Sequence, residues 1–122
     1  MVTISKITMI SESSLEAEVL VTDGFIELVC FSQPCDFVVN KILTEPVYCF
    51  NNKNVVRFLS EKCHIEKLKE SLAYNIFGKL IDKKNYLVKV GEIVLQLEED
   101  SIPKDILENE YVSFYCQRID IY

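Results

Sequence analysis

The clearest pattern in the chain is an alternation that breaks once and resumes. Ala17, Val19 and Val21 are apolar, while Glu16, Glu18 and Thr22 between them are polar. After Asp23-Gly24 the alternation returns, with Ile26, Leu28 and Cys30 apolar and Glu27 polar. Period-two patterning on both sides of Asp-Gly predicts a β-hairpin, because the tight turn needs positive φ that Asp and Gly tolerate. A two-residue loop would pair Val21 with Ile26, Val19 with Leu28 and Ala17 with Cys30, all on one face.

Similar runs follow along the chain. Residues 2–10 read as a first strand whose phase slips near Ser5-Lys6, the mark of a bulge. Residues 33–46, between Pro34 and Pro46, read as a connection. Val47 to Phe50 and Val55 to Leu59 flank Asn51-Asn52-Lys53-Asn54, which predicts a second hairpin, since Asn tolerates left-handed backbone. Residues 75–82 and 86–91 flank Lys83-Lys84-Asn85, a third. At Gly91 the phase changes from Tyr86, Val88 and Val90 to Ile93, Leu95 and Leu97, as at a bulge or tight turn. Residues 99–110 read as a loop in which Pro103 opens a single helical turn. The last strand, 111–121, carries Val112, Phe114 and Cys116 on one face and slips at Gln117-Arg118.

One segment departs from period two. Ser60 suits an N-cap and Glu61 the first turn. Ile65, Leu68 and Leu72 follow at helical spacing, with Lys62, Glu66, Lys67, Lys69 and Glu70 between them. This predicts one amphipathic helix between the halves of the chain. Either side of it, strand, Pro-x-Asp-apolar turn and strand recur at 25–50 and 92–116, consistent with an internally duplicated β meander. The expected fold is therefore mainly β, a small β-barrel of eight or nine short strands with that helix.

The stretch Ile102-Pro103-Lys104-Asp105-Ile106-Leu107-Glu108-Asn109-Glu110-Tyr111-Val112-Ser113-Phe114 resembles a phrase common in small β-barrels of the OB and SH3-like kinds. There a short turn with a polar pair leads into a V-x-F strand. The resemblance covers part of the chain, names no specific family and implies an OB-like or related barrel.

Composition narrows the function. The 122 residues fit one domain over 1–122, and 49% apolar content is enough for a core. The net charge of −6 disfavours binding to nucleic acid or anionic membrane, which depends on Lys and Arg meeting phosphates. The opening residues lack the basic and continuous apolar regions of a secretory signal, and no run is long enough to span a membrane. A cytoplasmic location is the expectation. Cys30, Cys35, Cys49, Cys63 and Cys116 form an odd, scattered set that suits free thiols in a reducing compartment.

Catalytic patterns are weak. The only histidine, His64, directly follows Cys63, and helical neighbours project about 100° apart, too far for a nucleophile–base bond. Cys30 and Cys35, with Cys49, Cys63 and His64, match zinc spacing poorly. Gly24, Gly78 and Gly91 are isolated rather than part of a phosphate-cradling loop. No catalytic residue, metal or cofactor is expected.

Two features fit binding. Glu98, Glu99, Asp100, Asp105, Glu108 and Glu110 make an acidic segment broken only by Lys104, able to dock a basic partner. Phe25, Phe31, Tyr111 and Tyr115 point away from the core by strand alternation, in the manner of interface aromatics. The expectation is a non-catalytic protein-binding module, such as an immunity protein or inhibitor of a basic toxin or enzyme. Glu98, Glu99, Asp100, Asp105, Glu108, Glu110, Tyr111 and Tyr115 are its candidate contacts. An OB-like domain for single-stranded nucleic acid and a small-ligand or enzymatic barrel are the alternatives.

Overall fold

A computed structural model describes residues 1–68 and 71–122. The described residues form nine strands: β1 (Thr3–Ser11), β2 (Glu16–Thr22), β3 (Glu27–Ser32), β4 (Val47–Arg57), β5 (His64–Lys67), β6 (Tyr74–Asp82), β7 (Leu87–Val90), β8 (Ile93–Gln96) and β9 (Tyr111–Asp120). They lie in the order β1-β2-β3-β9-β4-β8-β7-β6-β5, and β6 also pairs with β9. That extra pairing closes β9, β4, β8, β7 and β6 into a small five-stranded barrel. Within it only β4 and β8 run parallel, through Val47 opposite Leu95 and Tyr48 opposite Gln96.

The long last strand organises the molecule. Its residues Tyr111 to Cys116 lie between β4 and β6, and Asp120 lies between Tyr48 of β4 and Phe31 of β3. The β1–β3 meander is thereby stitched to the outside of the barrel. Ile76, Leu80, Val88, Val90, Ile93, Leu95, Val112 and Phe114 fill the ring, and Ile4, Ala17, Val19, Val21, Leu28 and Cys30 extend the same buried cluster under the meander. Gly78 makes the close approach of β7 to β6 possible. A Cβ there would meet the Lys89 carbonyl at 2.8 Å and Val90 Cγ2 at 2.7 Å.

The phase slips expected near Ser5, Gly91 and Gln117 all appear. The β1–β2 register shifts between Ile4 and Lys6, and Gly91, at φ +60°, turns β7 into β8. Burial passes from Val112, Phe114 and Cys116 to Ile119 on β9 and to Ile121 just after it. The first hairpin keeps its expected face but not its register. Val21 pairs with Leu28, Val19 with Cys30 and Ala17 with Ser32. The connection is Asp23 to Ile26, because the Asp23 carboxylate accepts from the Phe25 and Ile26 amides and caps a wider turn. A shift of two leaves the parity of the strand unchanged.

Two expectations fail. The described residues hold no helix. Residues 64–67 instead form β5, an edge strand with Ile65 opposite Ile76. An isolated three-turn helix with a narrow apolar stripe is marginal in water. The free edge of β6 offers this segment backbone partners, and Leu68 N–H donates to the Ala73 carbonyl at 2.9 Å to close the turn. Lys69 and Glu70, also counted in the helix, lie outside the described residues. The Asn51–Asn54 hairpin fails too, since Val47–Arg57 is one strand. Both of its halves pair with β9, and the positive φ of Asn51 and Asn54 bends the strand around a bulge between Lys53 and Val56. The two segments compared as a repeat hold different places: β8 is a barrel strand, whereas β3 lies outside the ring.

No described helix is long and apolar enough to cross a membrane.

Candidate functional site

Side chains on the outer face of β4, β9 and β6 are set by the pairing registers. Tyr115 lies opposite Asn75 on one side and Lys53 on the other, and Ser113 lies opposite Phe77 and Val56. Phe77 and Tyr115 are therefore diagonal neighbours, with Asn75 and Ser113 completing the square. These residues, with Asn54, line a groove of about 250 Å³. Asn51 and Asn52 are engaged, bonding Gln117 at 2.7 Å and the Glu98 amide at 2.8 Å. The side chains of Asn54, Asn75 and Ser113 form no hydrogen bond with any described residue.

Aromatic rings continue on both sides of the groove. Phe58 meets Phe77 edge-on at 5.0 Å between centroids, and the His64 ring lies 6.2 Å from Phe77. Lys62 Nζ stands 4.3 Å from the Phe77 centroid, and Lys53 Nζ 5.4 Å from that of Tyr115. Toward the other end of β9, Arg118 is sandwiched between Phe31 and Phe50 at 4.5 and 4.8 Å. Its Nε donates to Asp120 at 2.7 Å, and that carboxylate holds the guanidinium pKa above its ordinary value. Tyr48 and Tyr122 stack edge-on beyond it.

The acidic segment is not a free negative face. Glu110 accepts from Arg57 Nε at 2.6 Å, and the Asp105 carboxylate lies 3.8 Å from Arg57 Nη1. Hydrogen bonding to Arg57 holds the Glu110 carboxyl below the usual range. Glu98 accepts from the Asn51 amide at 2.5 Å, and Asp100 from the Tyr86 hydroxyl at 3.4 Å. Glu99 and Glu108 are exposed and make no hydrogen bond to any described residue. Tyr111 and Tyr115 lie on the outer face of β9, half-buried, as strand alternation implies. Phe25 stands alone at a loop tip, 96% exposed.

Residues 1–122 match the model of the family described as uncharacterised conserved protein UCP019853. The chain belongs to that family. Nothing matches it among the curated proteins or the solved structures.

Its thiols are divided by burial. Cys30, Cys49 and Cys116 are buried, Cys35 is half-buried and Cys63 is exposed. Burial pushes the Cys30 and Cys49 thiols up, and Cys116 donates to the Arg118 carbonyl at 3.0 Å. Among the described residues no three His, Cys, Asp or Glu side chains group so as to hold a metal ion. His64 opens β5 and faces Phe77.

Of the candidate contacts expected from the sequence, Tyr115 lines this groove and Tyr111 does not, while Phe77, Asn75 and Ser113 of the groove and Phe58, Lys53 and Lys62 around it were not among them. A signal existed for Phe77: it is an aromatic on the Asn75–Lys79 face of an alternating strand. For Lys62 there was none, because its place depends on β5 replacing a helix.

Proposed function

We propose that this protein is a non-catalytic protein-binding module that engages its partner through the outer face of β4, β9 and β6. The observation that carries this reading is the groove between Phe77 and Tyr115, where aromatic walls surround Asn54, Asn75 and Ser113 side chains that have no hydrogen-bond partner among the described residues. Interfaces favour Tyr and Phe and need polar groups ready to bond. The packed interior of the ring favours a scaffold over a barrel with a ligand lumen.

The fold fits that role. A three-strand meander, β6-β7-β8, is closed by β4 and β9 side by side, which leaves the outer faces of β4, β9 and β6 contiguous. Five free thiols suit a reducing, cytoplasmic compartment. An immunity protein or inhibitor is one form of this reading. Its aromatic face would anchor the partner, and Glu99, Asp100 and Glu108 at the barrel end would meet basic groups at the rim.

Affinity capture from native cells tests the proposal. The wild-type protein should retain a stoichiometric protein partner. A Phe77→Ala/Tyr115→Ala variant with an unchanged fold should lose it, since truncating anchor aromatics costs upward of ~1–2 kcal/mol each. Absence of such a partner, or equal capture by the variant, would refute the reading.

A further inference from the structure

The charge around the groove narrows the partner. Lys53 and Lys62 sit against the two aromatic walls, Lys53 on the Tyr115 side and Lys62 on the Phe77 side. Neither forms an ion pair with a described residue; the described cations that do are the N-terminus, Arg57 and Arg118. A chain of net charge −6 thus presents free positive charge at the two ends of its aromatic groove. A volume of about 250 Å³ is below the range of small-molecule pockets, and fits one large side chain.

Resting on the protein-binding reading, we infer that the groove binds a short acidic peptide segment of the partner. One aromatic or large apolar side chain seats between Phe77 and Tyr115. The segment's main-chain amides bond Asn54, Asn75 and Ser113. Carboxylates on either side of the seated residue meet Lys53 and Lys62 over the rings, where a cation is already held by the ring quadrupole.

A single-stranded nucleic acid would also offer a planar group flanked by negative charge. Its affinity, however, grows with the number of phosphates neutralised. Glu66, opposite Asn75, sets one carboxylate at the groove itself, and a longer polyanion meets more beyond it: Glu61 near Tyr111 and the 105–110 acids at the barrel end. A short acidic segment brings fewer negative charges against those outlying acids than a polyanion does.

The test uses the full chain, labelled with nitrogen-15, titrated at low salt with the heptapeptide Asp-Glu-Asp-Trp-Glu-Asp-Glu. A Lys-substituted peptide of the same length and an oligothymidylate serve as comparisons. The acidic peptide should shift the Asn54 and Asn75 side-chain amides and the Ser113 backbone amide. Its affinity should fall about tenfold or more in Lys53→Glu/Lys62→Glu, the size of losing ~1.4 kcal/mol of charge pairing. Absence of shifts with the acidic peptide, equal response to the basic one, or undiminished binding by the charge-reversed variant overturns the inference. Tighter binding of the oligothymidylate overturns it in favour of nucleic acid. Should a captured partner be lost by Phe77→Ala/Tyr115→Ala yet kept by Lys53→Glu/Lys62→Glu, the protein-binding reading stands and the acidic segment is wrong.

Discussion

Asp23 shows how one side chain decides a connection. It is nearly buried, and its carboxylate accepts from the Phe25, Ile26 and Glu92 amides at 2.9, 2.8 and 2.9 Å. Burial alone would raise its pKa, but the backbone donors outweigh it and hold the group below 3.8. Since the folded pKa is depressed, the carboxylate's contribution is complete above the unfolded value and is lost as pH falls through the folded one. Asp23→Ala should cost about 2–4 kcal/mol at neutral pH, from orphaned amides and lost charge-assisted bonds. Urea unfolding of both proteins should show this gap narrowing below about pH 3.8. A gap that is constant or wider in acid would contradict the assignment. Asp-Gly marked the turn in the sequence, but the third donor, Glu92, comes from 69 residues away. Local pattern could therefore place the turn without setting its width.

At the scale of elements, strand phase was legible and strand partners were not. The slips at Ser5, Gly91 and Gln117 are visible because alternation is a property of one strand read alone. The Asn51–Asn54 stretch was misread because positive φ serves a hairpin turn and a bulge equally, and only the shared partner β9 distinguishes them. The 60–72 segment was misread for the same reason, as a vacant edge on β6 outweighed a weak helical stripe. The close approach of β7 to β6 can be tested directly. Gly78 faces the ring interior with a backbone carbonyl and two valines inside Cβ contact distance. A methyl group cannot be accommodated by rotating a flexible side chain away from a carbonyl. Gly78→Ala should destabilise the fold by about 1–3 kcal/mol, the usual cost of overpacking. Thermal unfolding checks it: a melting temperature equal to that of wild type would mean the β6–β7 approach is looser than described.

Over the whole molecule, the question is whether meander and barrel act as one cooperative body. Their direct strand pairing is slight, a single parallel register of Phe31 with Asp120 extended by Ile121 N–H to the Phe31 carbonyl at 2.9 Å. Two side chains reinforce it from inside, Asp23 reaching the β7–β8 turn and Tyr74 of β6 accepting from the Val29 amide at 2.8 Å. Beneath them the buried cluster runs unbroken from Ile4 and Val19 to Ile76 and Leu95. A shared core couples the two parts more strongly than edge hydrogen bonds do, because separating them would expose apolar surface on both sides. Tyr74→Phe removes only the hydroxyl and leaves the Val29 amide without its partner, a loss of about 1–3 kcal/mol. Unfolding of this variant should shift to lower denaturant while remaining one transition, with the same slope by tyrosine fluorescence and by circular dichroism. Two separated transitions would show instead that the meander detaches on its own. In that case the Phe31–Arg118–Phe50 stack, which bridges the seam, would belong to a mobile joint rather than to a fixed surface beside the groove.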